Sequence, residues 1–133
     1  MKKYNIFISH SWAYSDAYDR IIELLDEQGL NYKNHSVPKN DPLHTRGTDK
    51  ELERAIRNQM SGTHCVLIMA GVYSTYSKWI NKEIAIAVEM QKPIIAIKPW
   101  SQTNLSSVVQ KYATVIVGWN GKSIADAIKE QSI

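Results

Sequence analysis

Three short stretches of the chain, residues 4–8, 64–70 and 93–97, are apolar almost from end to end and rich in β-branched side chains. A strand covered on one face alternates apolar and polar positions, whereas a strand covered on both does not. The pattern therefore predicts the buried strands of a parallel sheet. Residues 114–117 form a fourth run of this kind. Residues 30–34 form a weaker one, suited to a sheet edge.

Between these runs the apolar spacing changes to that of helices. Tyr14, Tyr18, Ile22 and Leu25 recur at intervals of four and three, and Gly29 stands where a helix stop belongs. Thr48 and Glu51 form a capping box, after which Leu52, Ala55, Ile56 and Met60 line one face as far as Ser61 and Gly62. A third helix is predicted over residues 78–91 with Ser77 as its cap, and a last one over residues 122–131 with Asn120 as its cap. Residues 105–109 add a short turn. Strands and helices alternating at this spacing are βαβ units. The fold class they predict is α/β, a three-layer arrangement of a five-stranded parallel sheet with helices on both faces.

The 133 residues suffice for one hydrophobic core and not for two ordinary ones, so residues 1–133 are read as a single domain. A net charge of +3 invites a nucleic-acid reading, but residues 1–60 hold nine basic and nine acidic side chains and the rest are scattered. Without a basic stripe this is a solvated surface, and no nucleic-acid partner is expected. Cys65 is the single cysteine and lies within an apolar run, which excludes an intramolecular disulfide and a cysteine-rich zinc site and suggests a buried, inert thiol. Lys2 and Lys3 precede an apolar stretch that ends at Ile8, too short for a signal core or a membrane span. A cytoplasmic protein with no membrane partner is the expectation.

In an open parallel sheet, ligands bind outside the carboxyl ends of the strands, which directs attention to residues 9–14, 36–47, 70–77 and 99–104. Glu83 is the most informative position. On a helical projection Trp79, Ile80, Ile84, Ile86, Ala87, Val88 and Met90 share one broad arc, with Asn81, Lys82, Glu89 and Lys92 opposite, and Glu83 falls inside the apolar arc. A carboxylate there must be paired or hydrogen-bonded, because a bare buried charge costs several kcal/mol or more. It is either half of a structural ion pair or a functional acid; helix capping fits poorly so far beyond Ser77. Trp79 projects one turn earlier from the same face, either as core packing or as one wall of a nucleotide cradle.

Ser9, His10, Ser11 and Trp12 follow the first strand directly and place two hydroxyls, an imidazole and an indole where phosphate, ribose or base would be met, with Tyr14 just beyond. The segment 36–47 carries two prolines together with Lys39, Asp41, His44 and Arg46, and a connection this long in so small a domain is usually functional. His10 has no second histidine at metal-ligand spacing, so no zinc site is expected. Neither a G-x-G-x-x-G fingerprint nor a Walker loop occurs, which argues against ordinary dinucleotide or P-loop binding.

FISHSW after the first strand, SVPKNDP after the second and SKWINKE opening the third helix together resemble the TIR-like domain of the bacterial Thoeris anti-phage system, within the wider TIR superfamily. The likeness runs through nearly the whole chain in order. The S-x-W-x-x-x-E element carried by Ser77, Trp79 and Glu83 is similar to the catalytic signature of NAD-consuming TIR domains. Ile80 departs from the cysteine that often follows the tryptophan. The resemblance implies a flavodoxin-like fold and NAD as substrate rather than cofactor. It also implies that Glu83 is the catalytic carboxylate at the ribose next to nicotinamide, and that residues 36–47 shape the site entrance. Ser9, His10, Ser11, Trp12, Tyr14, Asp41, Ser77 and Trp79 are then the candidate substrate-binding residues. The implied product is a cyclic ADP-ribose isomer that reaches a downstream effector by diffusion; whether a homo-oligomer builds the site stays open. A non-enzymatic TIR-like scaffold and a deoxyribosyltransferase-like nucleoside enzyme are the alternatives.

Overall fold

The computed structural model describes residues 3–9, 15–35, 49–69, 78–98 and 107–132, and the elements are numbered in chain order among them. They are β1 (Tyr4–Ile8), α1 (Ser15–Glu27), β2 (Tyr32–Asn34), α2 (Asp49–Ser61), β3 (Cys65–Met69), α3 (Lys78–Glu89), β4 (Ile94–Lys98), α4 (Ser107–Tyr112), β5 (Val115–Gly118) and α5 (Gly121–Gln131). The five strands pair in parallel in the order β2-β1-β3-β4-β5. This is the flavodoxin-like order among doubly wound sheets.

Side chains alternate across a strand, and in β1, β3 and β4 both sets are buried. Ile6, Ile8, Cys65, Leu67, Ile95 and Ile97 meet Ile21, Leu24 and Leu25 of α1 and Ile124 and Ile128 of α5. Phe7, Val66, Ile68, Ile94 and Ala96 point the other way, onto Ile56 and Met60 of α2, Ile84 and Ala87 of α3 and Val109 of α4. The three layers are therefore α1 and α5, the sheet, and α2 with α3 and α4. Each fully buried aliphatic side chain contributes about 1.5–3 kcal/mol, so these two clusters dominate stability.

The apolar runs are strands within a residue of their expected bounds, and the 30–34 run is indeed a short edge strand. β5 forms the opposite edge, with Val115 and Val117 packed towards α5 and Ile116 exposed. Two faces differ from the expected ones. The inner face of α1 is Ile21, Leu24 and Leu25, with Ile22 at its margin, and Val88 of α3 faces solvent. Both follow from the width of the apolar arc, which exceeds the strip that meets the sheet. Asn120 caps α5 as expected, its side chain accepting from the Ser123 amide. The expected caps Thr48 and Ser77 lie outside the described residues.

Gly29 closes α1 at φ +66°, with the Gly29 amide on Asp26 O and the Leu30 amide on Leu25 O. α3 ends the same way without a glycine. Gln91 adopts φ 59°, its amide meets Val88 O, and the Lys92 amide meets Ala87 O. Both are Schellman closures. Lys92 continues the clamp by donating from Nζ to Thr63 O at 2.8 Å and Ser61 O at 3.2 Å, which fixes the chain leaving α3 to the end of α2.

Candidate active site

β1 is the strand at which the order of the sheet reverses. From it the chain moves outward to β2 at the edge, then crosses back to β3 on the other side of β1. The connections leaving the carboxyl ends of β1 and β3 therefore go to opposite sides, and the crevice between them is where ligands bind in sheets of this type.

Ser9 follows β1 directly. Its amide donates to Leu67 O at 3.1 Å, so it continues the β1–β3 ladder beyond the last strand residue. Counting along the pleat, Ser9 falls on the same face as Phe7, the face covered by α3. Glu83 is the sixth residue of α3, and Ile84 and Ala87 beside it belong to the core cluster under that helix. The strand's period of two and the helix's period of 3.6 thus converge on one point. Ser9 Oγ donates to Glu83 Oε1 at 3.2 Å across 74 residues of sequence. Ser9 is 0% and Glu83 2% exposed.

A carboxylate this deep has lost most of its hydration and has to recover it from fixed dipoles. The Ser9 hydroxyl is one of them, and a hydrogen bond to an ionised acceptor is about twice as strong as a neutral one. Position six excludes a helix-capping role, since orphan amides are confined to the first turn. The ion pairs that join α2 to α3 use the neighbours of Glu83: Lys82 Nζ lies 3.0 Å from Glu53 Oε2, and Arg57 bridges Glu53 at 3.2 Å and Glu89 at 2.6 Å. The Lys82 and Arg57 contacts hold the Glu53 carboxyl below its usual range, the hydrogen bond from Lys82 being the larger influence. With Lys82 held on the outer side, the rotation of α3 that turns Glu83 inward is set from both faces.

Ser9 and Glu83 are the two expected site residues that the structure brings together. His10, Ser11, Trp12, Tyr14, Asp41 and Ser77 lie outside the described residues. Trp79 belongs to the first turn of α3, and its side chain is not among those described. The sequence reading did not single out Lys98. It is the last residue of β4, half-buried, and alternation with Ile94 and Ala96 assigns it to the α3 side at the carboxyl edge of the sheet. The available signal was a cation ending an apolar run. A depression lined by Lys50, Glu53, Arg54 and Arg57 lies along α2 and does not include the Ser9–Glu83 pair. Cys65 is buried, and burial pushes its thiol up to about 11.

A five-stranded parallel sheet in this order defines a flavodoxin-like α/β protein, and the buried Ser9–Glu83 pair lies at its switch point. The family model described as Thoeris protein ThsB, TIR-like domain, matches residues 7–104, and the chain belongs to that family. None of the curated proteins matches the chain. Among solved structures, the chain is similar to the CMP N-glycosidase BcmB of Clostridium botulinum, with 15% identity and a TM-score of 0.59, over 94% of this chain and 98% of that one. It is also similar to a 3-dehydroquinate dehydratase-like protein of Bifidobacterium longum, with 13% identity and a TM-score of 0.48, over 98% of this chain and 95% of that one.

Proposed function

We propose that the protein cleaves NAD at the bond between nicotinamide and ribose, with Glu83 as the catalytic carboxylate, and closes the remainder into a cyclic ADP-ribose isomer that acts as a diffusible signal in anti-phage defence. The observation that carries the reading is a buried carboxylate, hydrogen-bonded to the end of β1, at the switch point of a sheet in this family.

The chemistry suits one acid. Nicotinamide on ribose is a cationic pyridinium and leaves as a neutral molecule, so its departure needs no proton. O-glycosidases generally use two carboxylates because their leaving oxygen must be protonated. Here a single anion facing the ribose stabilises the oxocarbenium-like transition state as the electron pair of the C–N bond leaves with the base. Capture of the ribose carbon by a hydroxyl or ring nitrogen of the same molecule, with loss of one proton, closes the ring. That outcome requires a pocket that keeps water away, for which Trp12, Tyr14 and Trp79 are the candidate walls. Lys98, at the carboxyl edge on the α3 side, is a candidate partner for the diphosphate.

The test is nicotinamide release by the purified protein and by Glu83→Gln. The substitution removes the charge at nearly constant size and is expected to lower turnover by about a hundredfold or more. Equal turnover by both proteins removes Glu83 from the mechanism. Product mass separates the cyclic isomer from linear ADP-ribose, which contains one added water. The neighbour's activity supplies a second reading, base release from a pyrimidine nucleotide, which predicts cytosine from CMP and intact NAD. Inertness towards both favours a TIR-like scaffold.

A further inference from the structure

Ser9 is buried without a trace of exposure at the end of a strand whose other inward residues are apolar. A hydroxyl in that place is disfavoured unless it is used, since an alanine would bury the same methylene without a polar atom to satisfy. We propose that Ser9 is the positioning residue of Glu83, its hydroxyl fixing the direction of the carboxylate and favouring the ionised form over the neutral acid. The inference rests on the assignment of Glu83 as the catalytic group.

Two rigid elements place the pair: the Ser9 backbone is locked to β3 through the Leu67 carbonyl, and α3 is locked to the sheet through Ile84 and Ala87 and to α2 through Lys82 and Arg57. The scaffold thus fixes both backbones, and the two side chains meet between them at 3.2 Å. Ser9 Oγ is the donor and Glu83 Oε1 the acceptor, the direction that an ionised carboxylate, which only accepts, requires. Donation to the charged form favours ionisation, opposing the burial of the same group. Among the described residues, the titratable and charged groups on the surrounding elements are Lys82 and Glu89 of α3 and Glu53 and Arg57 of α2, joined in ion pairs, the exposed Lys50, Glu51 and Arg54 of α2, Lys111 and Tyr112 of α4, and Lys92 after α3, with Lys98 ending β4 and His64 preceding β3. A hydroxyl is a neutral means of holding an anion: it leaves the net charge available to a developing cation, which a lysine or arginine partner would cancel.

The experiment compares wild type with Ser9→Ala, Ser9→Thr and Ser9→Cys. Nicotinamide release is followed against pH, and the Glu83 carboxyl carbon is titrated by NMR in protein labelled with 13C-glutamate and assigned with Glu83→Gln. Ser9→Ala is expected to move the acid limb of kcat to higher pH. Its deficit relative to wild type should grow as pH falls and approach about tenfold below both midpoints, the effect of one lost charge-assisted hydrogen bond. Ser9→Thr restores the donor and the wild-type limb, and Ser9→Cys, a weak donor of similar size, falls between; these two carry the test if the alanine variant does not fold. A purely structural serine would alter stability and leave both the limb and the carboxyl titration in place, and that result overturns the inference. If wild type releases no nicotinamide, the proposed reaction fails on its own, while the carboxyl titration still decides the Ser9 role: a Glu83 midpoint identical in wild type and Ser9→Ala refutes it.

Discussion

A hydroxyl and a carboxylate buried together under a helix each lower the cost of burying the other. Glu83 was legible as an anomaly because it falls within a broad arc of apolar residues on α3, of which Ile84, Ile86 and Ala87 are buried in the core. Its partner was not, because nothing in local spacing says which of the polar residues after β1 will meet a helix 74 positions later. That depends on strand order, and parity along β1 selects Ser9. Cys65 makes the converse case, a reactive group type rendered inert by its setting. It faces the α1 and α5 layer, accepts a hydrogen bond from Ser132 Oγ, and has its thiol pushed up to about 11 by burial. At about pH 8 the native protein should resist alkylation by iodoacetamide or a disulfide reagent for hours, whereas unfolding in urea should expose one thiol at once. Prompt labelling without urea would contradict the burial.

At the scale of elements, the positions of α3 and its neighbours depend on how each helix stops. The expected bound of residue 91 for this helix was close, yet the physical stop was missed, because the sequence places Gln91 where the conformation favours glycine. A side chain at φ 59° costs about 1 kcal/mol relative to glycine, and the Cβ is the cause. Gln91→Gly should therefore raise stability by roughly 0.5–1 kcal/mol, read as a higher urea midpoint with unchanged slope, the Schellman bonds to Ala87 and Val88 being retained. A lower midpoint would show that the glutamine side chain contributes more than its backbone strain removes. Helix beginnings were legible to differing degrees. Asn120 was identified from its type alone, because capping is a contact between residues three apart. The inner face of α1 was displaced by one position, because periodicity defines a stripe and only packing defines its centre.

For the whole molecule, the sequence supported the parallel sheet and its five strands through four apolar runs, and an edge at β2 through the weaker, more polar run of residues 30–34. The order of the strands was not written locally; it came with the family motifs and is what locates the crevice. One polar cluster also spans the sheet out of reach of sequence reasoning. His64 Nδ1 accepts from the Asn5 amide at 3.1 Å, and His35 Nε2 meets Asn5 Oδ1 at 3.2 Å, linking β2, β1 and β3. Burial first, then the charges of Lys33, His64 and Lys3, lower the His35 pKa from 6.5. With the folded value below the unfolded one, the unfolded chain binds more protons in that window. Stability is therefore full above about pH 6.5 and declines as pH falls through the folded value. The urea midpoint should drop between about pH 7.5 and pH 5.5, and His35→Gln should flatten that slope; an unchanged slope would place the titration elsewhere.

The alternation of β1 acts as a ruler with a spacing of one residue. Phe7 and Ser9 share a face, so deleting or inserting a single residue within Tyr4–Ile8 would exchange the two sets of side chains and deliver the Ser9 hydroxyl to the wrong layer. Substitutions that respect volume can accumulate in this strand, but changes in its length cannot, because the same slip that would bury the wrong aliphatic residues would also leave the acid without its companion.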